Sequence, residues 1–111
     1  MYFNIIASGS KGNATIVVEN KTVILIDMGI TLTLLNENLK QEGLTIKDID
    51  GVLFTHDHGD HIRGSKFFPQ KICYALDRTL SSSYNVVYLF ETFLIKDLKI
   101  TPLKTSHDAT N

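Results

Sequence analysis

The chain has 111 residues, 43% of them hydrophobic and 21% charged, which suits one modest domain with a real core and lies far from the disordered and membrane-spanning classes. Eleven basic and twelve acidic side chains leave a formal net charge of -1, so no global positive field gathers nucleic acid or an anionic membrane. Any anionic substrate must be attracted locally. The N-terminal MYFNIIASGS has too short an apolar run and no basic lead-in for a signal peptide, so the cytoplasm is the expected compartment.

In chain order, YFNIIAS, ATIVVE and TVILID are β-branched, apolar runs that predict three strands, the last two joined by a tight hairpin at Asn20-Lys21. Thr31 can cap a helix over LTLLNENLKQE, where Leu32, Leu35 and Leu39 recur at helical spacing and Gly43 supplies a left-handed stop. IDGVLFT reads as a short buried strand that runs into His56. IRGSKFF suggests a short helix, followed by Pro69, a strand over KICYA and a polar stretch, LDRTLSSSY. NVVYLF, TFLI and LKITPLKT read as further strands, with Lys96-Asp97 at a hairpin tip, Pro102 at an edge or irregular position, and His107 following the last strand. The single cysteine, Cys73, cannot close an internal disulfide and reads as a small buried strand residue. No repeat or linker divides the chain, so residues 1–111 form one domain.

The heptad THDHGDH, residues 55 to 61, holds three of the four histidines and two aspartates at the C-terminal end of a strand. In an extended loop, side chains two residues apart project to the same side, so His56, His58 and Asp60 can share a face while His61 follows on the turn Gly59 permits. Imidazoles plus a carboxylate suit zinc, iron or manganese, whereas an oxygen-only calcium or magnesium site would not use three histidines. A metal-free polar turn fares poorly, because clustered imidazoles would repel one another once several protonated near about pH 6. Zinc is the first expectation, with Mn2+ or Fe2+ as the others.

THDHGDH resembles the His-x-His-x-Asp-His signature of the metallo-β-lactamase-like superfamily. SGSKGN at residues 8 to 13 and TSHDA at residues 105 to 109 are similar to segments of its YycJ/WalJ-type branch, whose members are implicated as metal-dependent phosphodiesterases or exonucleases acting on DNA. The resemblance implies that His56, His58 and His107 bind a first metal and that Asp60 and His61 begin a second site. Three protein ligands plus an open position for water is also the catalytic zinc arrangement, in which the water titrates near about pH 7. Asp60 could orient that water or take its proton, although a second-site ligand is not a free base. Asp27, in LIDMG, is similar to the aspartate that supports a ligand or the loop from beneath; its plain reading is a strand end before Gly29. Asp108 is read as a turn residue of its own loop. The SGSKGN glycines, with Ser8, Ser10 and Asn13, could accept a phosphate or brace the metal loop, and Lys11, Arg63 and Lys66 could add local positive charge.

The superfamily fold is a four-layer αββα sandwich of two similar halves, and the resemblance covers only the N-terminal half: an α/β unit with a mixed sheet rich in hairpins and helices on one face. The bridging aspartate and last histidine of the second metal site belong to the other half, so one metal site is expected here. A half-sandwich leaves its inner sheet face open, which predicts a fragment or truncated product that self-associates or is completed by the missing C-terminal half. The stretch between His61 and His107 is also short for the family. The expected function is a metal-dependent hydrolase acting on DNA or another phosphodiester. The alternative is a metal-binding half-domain without activity. A nucleic-acid module without catalysis is disfavoured by the charge balance and the lack of a basic stripe.

Overall fold

The computed structural model describes residues 2–8, 12–55, 65–76 and 84–103. Strands β1 (Tyr2–Ala7), β2 (Ala14–Glu19) and β3 (Thr22–Ile26) form an antiparallel meander. The expected hairpin is there: Glu19 pairs with Thr22, and Asn20 takes the left-handed conformation (φ 54°) that a two-residue turn demands and asparagine tolerates. Helix α1 (Leu32–Gln41) follows, with the Thr31 hydroxyl accepting the Leu34 amide at 3.2 Å and Gly43 at φ 75° ending it.

The chain then returns beside β3 as β4 (Gly51–Phe54), which pairs parallel with it, and β5 (Cys73–Ala75) and β6 (Asn85–Val86) extend the parallel half. The strand order is β1-β2-β3-β4-β5-β6, a mixed sheet as expected. Strands β7 (Phe93–Ile95) and β8 (Leu98–Ile100) form a separate two-stranded sheet whose tip residue Lys96 lies at φ 53°. No helix among the described residues is long and apolar enough to cross a membrane.

Several elements differ from the sequence reading. NVVYLF is a strand only over Asn85–Val86; the chain then turns, with Phe90 at φ 66° donating its amide to the Pro102 carbonyl at 2.8 Å. LKITPLKT is a strand only to Ile100. KICYA begins as a 3₁₀ turn, Gln70–Ile72, and the described part of IRGSKFF is a single 3₁₀ turn, Ser65–Phe67. A further 3₁₀ turn, Ile46–Asp48, precedes β4, fastened where the Thr45 amide donates to the Asp48 carboxylate at 2.8 Å.

The register explains how the sheet faces its two neighbours. Leu25, Val52 and Cys73 lie in one row across β3, β4 and β5, and Ile26, Leu53 and Tyr74 lie in the next. Successive rows point to opposite faces. The first set, with Ile16, Val23 and Phe54, packs against Leu35 and Leu39 of α1 in the main core. The second face, holding Ile24, Leu53 and Tyr74, is covered in part by the β7–β8 hairpin: the Phe93 ring stacks on Tyr74 with centroids 5.3 Å apart, and Ile95 packs against Gly51 and Ile24. α1 therefore lies on one face and the hairpin on the other.

Candidate metal centre

The described residues place a scaffold around the start of the heptad. Asp27 directly follows β3; its backbone is left-handed (φ 64°) and its side chain is buried. Its amide donates to the Leu53 carbonyl at 2.7 Å. Its carboxylate accepts two hydrogen bonds from Thr55, from the amide to Oδ1 at 2.8 Å and from the hydroxyl to Oδ2 at 2.7 Å. Asp27 thus holds the residue immediately before His56, at the end of β4. The loop that Asp27 is expected to support lies outside the described residues; what no sequence pattern announces is that both carboxylate oxygens accept from one threonine.

A second brace comes from SGSKGN. The Gly29 amide donates to the Asn13 carbonyl at 2.9 Å. Gly12 sits at φ 147°, and a Cβ there would lie 2.6 Å from the Gly29 carbonyl oxygen, so only glycine allows the two segments to touch. Gly12 and Asn13 therefore pack on the β3–α1 connection, in which Asp27 holds Thr55. Ser8 and Lys66 are exposed.

On the second sheet face a mainly apolar recess of about 380 Å³ opens beside these loops, lined among others by Leu53, Thr55, Tyr74, Phe93, Pro102 and Leu103. Thr55 is one residue before His56, and Leu103 is four residues before His107. His56, His58, Asp60, His61 and His107, together with Ser10, Lys11, Arg63 and Asp108, lie outside the described residues. Among the described residues no group of three or more His, Cys, Asp or Glu side chains stands together. Cys73 is buried as expected, its thiol pushed up to about 11 chiefly by burial and partly offset by a hydrogen bond with Tyr84, so it offers no thiolate ligand near neutral pH.

The model of the metallo-beta-lactamase superfamily matches residues 7–74, a stretch that runs from the end of β1 through the heptad into β5. The chain belongs to this superfamily. Exodeoxyribonuclease YycJ of Bacillus anthracis is 29% identical over 123 aligned positions, covering 98% of this chain and 47% of that protein. Exodeoxyribonuclease WalJ of Streptococcus pneumoniae is 31% identical, covering 96% of this chain and 46% of that protein. The chain spans about half the length of the curated relatives it matches. The fold is shared with the Rm3 metallo-beta-lactamase at a TM-score of 0.65 and 17% identity, over 87% of this chain and 46% of that one. The superfamily fold implies a divalent metal, and the chemistry of the donors in the heptad, imidazole nitrogens and carboxylates that follow the braced Thr55 in sequence, fits one.

Proposed function

We propose that the chain carries the first metal site of a metal-dependent phosphodiesterase of the exodeoxyribonuclease kind, with His56, His58 and His107 as ligands of one ion. Zn2+ is the expected occupant and Mn2+ or Fe2+ the alternatives. Asp60 and His61 begin a second site, and Asp60 is the residue nearest in role to a proton acceptor or water-orienting group. When bound, the metal supplies Lewis-acid activation of water and of the scissile group. The chain's own part is positional. Asp27 fixes Thr55, so the strand delivers His56 from a rigid start, and Gly12 and Asn13 fasten the neighbouring loop.

The observation that carries this reading is the shared recess. Thr55 and Leu103, the described residues leading towards the heptad and towards His107, line one cavity. The four residues from Leu103 to His107 span at most about 14 Å. The names of the relatives supply the substrate class, a DNA phosphodiester.

The test is metal content per chain together with hydrolysis of a generic phosphodiester in Zn2+ or Mn2+, wild type against His58→Ala. The expected outcome is one metal per chain and a loss of at least about a hundredfold in rate for the variant, on the scale of losing a metal ligand. Equal turnover by both proteins would remove the enzyme reading. A second reading is a metal-binding half-domain without turnover, favoured by the chain's spanning only about half of its relatives. Metal binding lost in His58→Ala, with no hydrolysis by either protein, is its signature.

A further inference from the structure

The β7–β8 hairpin is fastened at its tip, at the end of the sheet opposite Thr55. Asp50 precedes β4, and its Oδ2 accepts the Val23 amide at 2.8 Å while its Oδ1 pairs with Lys96 Nζ at 3.1 Å. The same ammonium donates to the Lys21 carbonyl at 3.2 Å, so one hairpin tip is pinned to the turn of the other. Beside this ion pair, Ile95 occupies the space a side chain at Gly51 would take. A Cβ on Gly51 would lie 2.5 Å from Ile95 Cδ1 and 3.4 Å from Ile24 Cδ1, and Ile95 is 4% exposed.

From that tip β8 runs back along the second face, its three residues Leu98–Ile100 covering about 10 Å at strand rise, and Thr101 and Pro102 lead on to Leu103. The hairpin is stiffened beyond its ladder by the 2.6 Å contact between the Thr92 and Thr101 hydroxyls and by the Phe90 amide donating to Pro102. Leu103 then leads to His107 with three residues between them. The hairpin ladder is a sheet of its own, so its position on the domain is set by side chains: the Ile95 plug, the Phe93 stack and the Lys96 ion pair.

We propose that the Gly51 seat, the Ile95 plug and the Lys96–Asp50 fastening are positioning residues for metal binding, because they set the point from which the chain departs for His107. The inference rests on the reading of His107 as a ligand. A shift of the hairpin displaces Leu103, the last described residue before His107, and the substitutions that cause it leave every residue read as a ligand unchanged.

The experiment uses the 111-residue chain, with Zn2+ affinity read by chelator competition and Co2+ as the spectroscopic probe. Gly51→Val fills the seat, and Gly51→Val with Ile95→Ala restores the carbon count by removing as many carbons from the plug as the seat gains. The single variant is expected to bind Zn2+ about tenfold or more weakly and to lose visible Co2+ absorption intensity while its far-ultraviolet circular dichroism is kept. The double variant is expected to regain both to within about threefold. A purely structural role would lower the melting temperature and leave the Co2+ spectrum unchanged. A folded Gly51→Val that binds Zn2+ as tightly as wild type overturns the proposal. If Gly51→Val does not fold, Lys96→Met decides: the fastening is upheld by weaker Zn2+ binding and overturned by an unchanged dissociation constant. His107→Ala is the separate control, since unaltered Zn2+ affinity there removes the ligand reading whatever the hairpin variants do.

Discussion

Asp27 combines two demands that few side chains meet. Its backbone needs a residue that accepts positive φ, and its side chain needs two acceptors within reach of Thr55. Asp27→Ala fails both, and the expected cost is about 2–4 kcal/mol, from two lost hydrogen bonds in a buried setting and a strained backbone. Asp27→Asn keeps the backbone tolerance and one acceptor, so roughly half of that loss is expected. Urea denaturation of the three proteins checks the order. The aspartate was visible in the sequence as a strand end before a glycine. Its conformation was not, because the bonds that hold it come from a strand 28 residues away.

Cys73 gives a pH dependence of definite sign. Burial first, with an opposing hydrogen bond with Tyr84, raises the thiol from its model-compound value of 9.0 to about 11. The unfolded chain therefore loses this proton more readily than the folded one, so the contribution is fully present below about pH 9 and is lost as pH climbs through about 11. Denaturation midpoints compared with Cys73→Ala should converge across that window. A thiol reagent at pH 8 should label Cys73 only after unfolding, and rapid labelling of the native chain would contradict the burial.

The elements with a strong period were legible in the sequence. β2 and α1 each bury one face that their apolar spacing announces, β3 is an unbroken apolar run buried on both, and the Thr31 cap is formed as expected. Thr31→Ala should cost about 1 kcal/mol, seen as a lower thermal midpoint, because the Leu34 amide loses its acceptor at an exposed helix start. Reading failed where an apolar run is not a strand. Val87, Tyr88, Leu89 and Phe90 continue the strand pattern after β6, yet the backbone turns at Phe90 so that the hairpin can cross to the second face. The 3₁₀ turn Ile46–Asp48 is too short for any period to reveal, although Thr45 and Asp48 at capping-box spacing were its cue.

At the scale of the molecule, the mixed order of the sheet followed from a resemblance, since no local pattern says that β4 returns parallel to β3. The heptad gave the metal reading by residue type and spacing, His107 joined it through the resemblance, and residues 56–61 and His107 lie outside the described residues. The faces are unequal. α1 closes one, while Ile5, Phe90, Leu94 and Leu103 on or beside the other are 57%, 68%, 59% and 68% exposed. An apolar surface of this kind drives association. Sedimentation velocity should show mass rising with concentration, and Phe90→Lys with Leu94→Lys should shift the chain towards monomer. A strictly monomeric wild type over the whole range would mean that this surface is not adhesive.

The β7–β8 pair closes its backbone ladder on itself and touches the larger sheet through a plug, a ring stack and one ammonium. Such a flap can peel away without melting anything else, an opening far cheaper than global unfolding. Its amide hydrogens would then trade with solvent as a block while those of β3 and β4 stay locked, and a protease would find its first foothold there.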